Sequence, residues 1–204
     1  MLLYRSLKPI AAALMRLGLR LEVRGREHVP PSGPVLLVSN HISVLDPPVI
    51  GGAAPRELFF LAKEELFAIP LFGRLIARLN ARPVKRDGSD MRALKAALRL
   101  LSEGRALLVF PEGTRGTEGE LRAGRPGAGM LAVMSGAAVT PVYVTGTGRV
   151  LPPGRAIPRP AKVRVTFGPA LHFKAREGEG RKERYADVAQ EMMRAIAQLR
   201  DEAV

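Results

Sequence analysis

The run Val35-Leu36-Leu37-Val38-Ser39, closed by Asn40-His41 and then by Asp46-Pro47-Pro48, limits the fold more than any other stretch of the chain. Five aliphatic and β-branched residues with no polar face make a buried strand, and the polar residues and prolines behind them stop it and open a turn and a helix. Further apolar runs at 57–62, 106–110 and 139–144 read as strands, 82–86 reads as a short strand turned by Asp87-Gly88, and 162–167 alternates in the manner of an edge strand. Helical spacing separates them. A helix over 89–103 turns Met91, Leu94, Leu98 and Leu101 inward and stops at Gly104. A helix around 130–135 follows, and a basic C-terminal helix carries Tyr185, Val188, Met192, Ile196 and Leu199 on one stripe. Strand and helix alternate for most of the length, which predicts an α/β fold: a mainly parallel central sheet flanked by helices on both faces.

At 204 residues, 47% hydrophobic and 25% charged, the chain suits one globular domain with a sizeable core. It has no cysteine, which removes disulfides and thiolate metal sites, and its three histidines, His28, His41 and His172, are too scattered to suggest a metal site. The net charge of +13 calls for an acidic partner. Nucleic acid fits poorly, because the chain has few aromatics and no recognition-helix pattern. An anionic membrane surface or a phosphorylated substrate remains.

Residues 1–21 place Leu3, Leu7, Ile10, Leu14, Leu17 and Leu21 on one helical face and Arg5, Lys8, Arg16 and Arg20 on the other. This is the pattern of a basic amphipathic helix lying in a membrane interface, with a helix packed on the domain core as the alternative. Pro9 requires that helix to start near Ser6, and the uncharged run 9–15 is far too short to span a bilayer, which takes ~20 residues. The chain thus divides into an N-terminal membrane-interface helix, 1–24, and a domain, 25–204. A second apolar stretch, 66–79, reads as helix-turn-helix with Leu71, Phe72, Leu75, Ile76 and Leu79 on one face. It is either a core helix or a greasy wall for an acyl chain or a bilayer.

Two polar clusters lie just beyond strand ends. On one continuous helix His41 and Asp46 would point roughly 140° apart, from ~3.6 residues per turn. In a turn with Asp46 capping a helix that opens at Pro47, they can meet. A carboxylate on one ring nitrogen leaves the other as a general base, and no protein nucleophile is needed if the substrate brings a hydroxyl. The plainer reading makes Asp46 a cap and His41 a polar strand-end residue. The second cluster is Phe110-Pro111-Glu112-Gly113-Thr114-Arg115. Here glycine admits a ligand close to the backbone, arginine and the turn amides suit a phosphate, and the carboxylate can hold the loop or meet a hydroxyl. A Gly- and Arg-rich mobile loop, 116–129, follows.

Taken together, these clusters resemble the glycerophospholipid acyltransferase family, in particular its lysophosphatidic acid acyltransferases. Asn40-His41 through Asp46 looks like that family's NHxxxxD block and 110–115 like its FPEGTR block. Residues 60–66 with Ile69, Pro70 and Gly73 are similar to a further block, as are Val84 with Arg86 and Val139-Thr140-Pro141-Val142. Arg125, near Gly127, represents a basic position usual in the family. Gly116-Thr117-Glu118 departs from it, which leaves the acceptor's head group open. The resemblance implies acyl transfer from acyl-CoA or acyl-carrier protein to the 2-hydroxyl of lysophosphatidic acid at the cytoplasmic face of the cell membrane, with no cofactor beyond the acyl donor. It makes His41 and Asp46 catalytic. It assigns Glu112, Gly113, Thr114 and Arg115 to the acceptor, with Lys63 and Arg86 as further phosphate ligands. Glycerol-3-phosphate, a lysophospholipid or a lyso-amino lipid are alternative acceptors, and a non-catalytic basic lipid- or nucleic-acid-binding protein is the alternative of another class.

Overall fold

A computed structural model describes residues 8, 13, 15, 17–84, 91–152, 154–155, 157–174 and 180–202. Its strands are β1 (Glu22–Arg24), β2 (Val35–Ser39), β3 (Leu58–Lys63), β4 (Ala81–Val84), β5 (Ala106–Val109), β6 (Ala138–Thr145) and β7 (Arg164–Phe167). The helices are α1 (Asp46–Ala53), α2 (Phe72–Arg78), α3 (Met91–Ser102), α4 (Pro126–Ser135), α5 (Thr147–Val150) and α6 (Arg181–Asp201). One sheet contains all seven strands in the order β1-β7-β6-β2-β5-β3-β4. Every neighbouring pair is parallel except β6 with β7.

Strand β2 sits in the middle and is buried along its whole length. Alternation divides it between two cores. Leu36 and Val38 face a cluster built with α3, α4 and α6, where Leu101, Leu131, Val188, Met192 and Ile196 pack. Val35 and Leu37 face the opposite cluster, with Val49, Ile50 and Ala53 of α1 and Leu21. A strand wrapped on both sides has no room for a polar face, which is why its sequence is uniformly apolar. Helix α4 lies so close to α6 that a β-carbon on Gly129 would fall 2.0 Å from the Tyr185 carbonyl oxygen.

Several elements differ from the sequence reading. Strand β7 is not an edge, because the three-residue β1 pairs outside it. Glu22 fastens that pairing by accepting from Arg164 Nε at 2.9 Å and meeting Lys162 Nζ at 2.7 Å. In α3, Met91 is exposed, and Ala97 and Leu100 complete the inward stripe with Leu101. Residues 64–79 form a 3-10 turn (Glu64–Ala68) and then α2, with Gly73 the only buried residue in either. The core-helix reading of this stretch therefore fails.

Most of the expected N-terminal helix lies outside the described residues. Lys8, Ala13, Met15, Leu17 and Gly18 are helical. Leu17 is exposed, whereas Met15 packs on the α1-side core. Lys8, read as part of the solvated basic face, instead donates from Nζ to the Arg56 carbonyl at 2.8 Å. Partial burial lowers its amine to about 8, with Arg26 adding to the effect. Among the described residues no helix is long and apolar enough to cross a membrane.

Candidate active site

The site lies where β2 and β5 end, at the carboxyl edge of the parallel strands, where open α/β sheets bind ligands. Asn40 follows β2 and imitates one more strand residue. Its Oδ1 accepts from Val144 N at 2.8 Å, and its Nδ2 donates to the Val144 carbonyl at 2.8 Å. The side chain closes the ladder on β6, so the main chain can leave the sheet at His41.

His41 is held on every side. Its amide donates to Glu112 Oε1 at 3.2 Å, and its carbonyl accepts from Gly116 N at 2.7 Å. Its ring stacks on Phe110 with centroids 4.0 Å apart and planes 17° from parallel. Nδ1 lies 2.7 Å from Asp46 Oδ2. The same carboxylate oxygen accepts from Ile42 N at 2.7 Å and Ser43 N at 2.8 Å, and Oδ1 accepts from Thr147 Oγ1 at 2.5 Å. With four donors converging on it in a fully buried position, Asp46 is held as an acceptor. Nδ1 therefore carries the ring proton and donates it. Nε2 is left with a lone pair and no hydrogen-bond partner among the described residues, and this is the atom open to a substrate hydroxyl.

Helix α1 begins at Asp46 itself, with Leu45 as its cap residue, one position earlier than the sequence suggested. The Asp46 carboxylate turns back to the amides of the 41–46 loop instead of capping its own helix. This is what lets it reach His41 across five residues.

The second cluster is wired to the first. Glu112 is 3% exposed, and its oxygens accept from His41 N and, at 3.2 Å, Arg122 N. Both oxygens are thus engaged in ordering the loop. Burial raises its carboxyl above the ordinary glutamate range, against the pull of those amides and of Arg122. Gly113 takes φ 72 and lies so close beneath Arg125 that a β-carbon there would be 2.6 Å from Arg125 Nε. Thr114 and Arg115 are exposed. Arg122 approaches Gly116, so three arginines, 115, 122 and 125, gather around one turn. Arg115 and Arg125 have no carboxylate partner among the described residues.

The stretch read as mobile is pinned. Arg125 N donates to the Pro111 carbonyl at 2.9 Å. Glu118 Oε1 accepts from Thr145 Oγ1 at 2.7 Å and Gly146 N at 3.0 Å and pairs with Arg149 at 3.1 Å. Of the two further phosphate candidates, Lys63 is exposed at the end of β3, on the same edge of the sheet. Arg86 lies outside the described residues. Thr147 and Arg122 were not singled out for the site from sequence, and Phe110 was named only as the first residue of the second cluster, without its stacking on His41. For Thr147 no signal existed, since 101 residues separate it from Asp46.

A family model described as Acyltransferase matches residues 20–145. The chain belongs to the acyltransferase family. Relatives include the chloroplastic 1-acyl-sn-glycerol-3-phosphate acyltransferase of Arabidopsis thaliana, 33% identical over 75% of this chain and 44% of that protein. The 1-acyl-sn-glycerol-3-phosphate acyltransferase of Pseudomonas aeruginosa is 34% identical over 80% of this chain and 62% of that one. The chain therefore spans less than half the length of the Arabidopsis relative. The crystal structure of the 1-acyl-sn-glycerophosphate acyltransferase PlsC of Thermotoga maritima superposes with a TM-score of 0.77 at 29% identity, covering 96% of this chain and 79% of that one. Both clusters, 40–46 and 110–115, lie within the residues that the family model matches.

Proposed function

We propose that this acyltransferase moves a fatty acyl group from acyl-CoA or acyl-carrier protein to the 2-hydroxyl of lysophosphatidic acid, giving phosphatidic acid. One observation carries the reading: a histidine with Nδ1 fixed on Asp46 and Nε2 free is joined through its own carbonyl to the Gly113-to-Gly116 turn. Base and anion site thus form one rigid unit. The relatives' names supply the acceptor class.

In the proposed reaction His41 Nε2 takes the hydroxyl proton as the oxygen attacks the thioester carbonyl carbon. The tetrahedral intermediate collapses, the carbon–sulfur bond breaks, and the sulfur leaves as thiol with the proton returned from the imidazolium. Asp46 holds the ring's orientation and offsets the positive charge while it lasts. No acyl-enzyme forms, and the acyl donor is the only co-substrate called for. Arg115, helped by Arg122, Arg125 and the amides of Gly113 and Thr114, grips the acceptor's phosphate, with Lys63 and Arg86 as outer cations. Glu112 braces the loop. The enzyme works on an anionic membrane surface, at the cytoplasmic face, with residues 1–24 contributing to its attachment.

The test is an acceptor panel with one acyl-CoA, read as thiol release: lysophosphatidic acid, glycerol-3-phosphate, lysophosphatidylcholine and a lyso-amino lipid. Lysophosphatidic acid should give the highest kcat/KM. A higher value for any other acceptor reassigns the substrate, and thiol release with none of them removes the enzyme reading.

A further inference from the structure

Half of the strongly exposed large apolar side chains among the described residues fall in one ten-residue stretch: Leu66 at 36%, Ile69 at 48%, Leu71 at 78%, Phe72 at 43% and Leu75 at 43%. Single exposed hydrophobics are ordinary, but a contiguous patch needs a cover. Among the described residues the stretch packs mainly on itself and the β3–β4 edge, and of the 3-10 turn and α2 it buries nothing but Gly73. Its outermost residue, Leu71, takes φ 61, a conformation that disfavours a branched side chain. Its side chain lies mostly in solvent rather than against the body.

We infer that Ile69, Leu71, Phe72 and Leu75 dock this protein on an anionic lipid bilayer, as a second contact besides the N-terminal segment. Charge argues for that occupant. Lys63, Arg74 and Arg78 stand exposed around the patch, and Glu64 and Glu65 are confined to the entrance of the 3-10 turn. A water-exposed apolar tip with cations beside it is the pattern that inserts into a headgroup layer. Position argues for it too. Lys63 ends β3 at the sheet edge that carries His41, and β3 lies two strands from β2, roughly 10 Å away at ~4.8 Å per strand. Docking here would seat the active-site edge at the membrane surface, where a single-chain lipid can reach it without leaving the bilayer entirely. The inference deepens the proposed function by assigning the face that meets the substrate's membrane.

The chain has no tryptophan, so Leu71→Trp creates a single tryptophan reporter in the 204-residue chain. Its emission should shift to the blue on adding phosphatidylglycerol–phosphatidylcholine vesicles and be quenched by brominated acyl chains. In parallel, Leu71→Glu/Phe72→Glu should partition onto the same vesicles about tenfold or more weakly than wild type. Its turnover of a soluble short-chain lysophosphatidate should stay within about twofold of wild type, since neither residue lies in the site. An unmoved emission and unchanged partitioning overturn the inference. So does a wild-type dimer in sedimentation that the double variant dissociates with vesicle binding intact, which would make the patch a self-association surface. Equal loss on soluble and vesicle-borne acceptors would make it an acyl-chain wall, and overturns it as well. If no acceptor supports thiol release but vesicle partitioning still falls, the proposed function fails and the docking surface stands.

Discussion

Asp46 shows what a single buried carboxylate can organise. Three donors from its own loop and one from Thr147 fix it, and it in turn fixes the tautomer and direction of His41. Thr147→Val keeps the shape and removes one donor, leaving Oδ1 unsatisfied in a fully buried place. The expected outcome is a loss of about 1–3 kcal/mol in unfolding free energy by urea denaturation. It should come with a lower kcat and little change in acceptor KM, and Thr147→Ser should restore both. Asp46→Asn puts an amide where donors converge. It should lower kcat by about 10²-fold or more in steady-state assays while the variant still binds acceptor. Glu112 gives a pH signature. Its carboxyl is raised by burial, so the fold favours the protonated form: that stability is fully present below the ordinary glutamate range and is lost as pH rises through the raised value. Glu112→Gln does not titrate. Its stability relative to wild type should therefore climb across that window, measured as urea midpoints over a pH series, and a difference independent of pH would contradict the assignment.

At the level of elements, the 110–116 loop is positioned from behind by α4, which starts at Pro126 immediately after Arg125 and is held against α6 at Gly129. Gly129→Ala would drive a methyl into the Tyr185 carbonyl and push the two helices apart. It should cost about 1–3 kcal/mol or more, read from thermal and urea unfolding. Because the displaced helix carries the loop, acceptor KM should rise with it. The sequence showed these elements unevenly. Strands β2 and β5 announce themselves because burial on nearly every residue leaves room for apolar side chains alone, β3 and β6 because apolar residues dominate them, and the α6 stripe survives in Val188, Met192, Ile196 and Leu199. Strand β1 was invisible: three residues, Glu22-Val23-Arg24, carry no period, and its ladder and ion pairs both reach residues about 140 positions later. The close contacts of Thr147, Glu118 and Arg122 were equally hidden, since they depend on which strand ends the topology makes neighbours. His41, Asp46 and the 110–115 loop were legible because local spacing and a family resemblance both carry them.

For the whole molecule, the +13 charge and the exposed apolar stretch both suit the proposed partner, an anionic surface bearing a phosphorylated lipid. Raising salt from about 0.1 M to about 1 M shortens electrostatic reach from ~10 Å to ~3 Å. Sedimentation with phosphatidylglycerol vesicles should therefore weaken several-fold over that range. Binding to uncharged vesicles, driven by the apolar residues alone, should change little. The proposed reaction turns on one chemical event, removal of a hydroxyl proton by His41. The most direct test is kcat for His41→Ala with lysophosphatidic acid and acyl-CoA, on protein whose circular dichroism and melting match wild type. A fall of about 10²–10⁴-fold is predicted, and turnover within a few-fold of wild type would contradict the account.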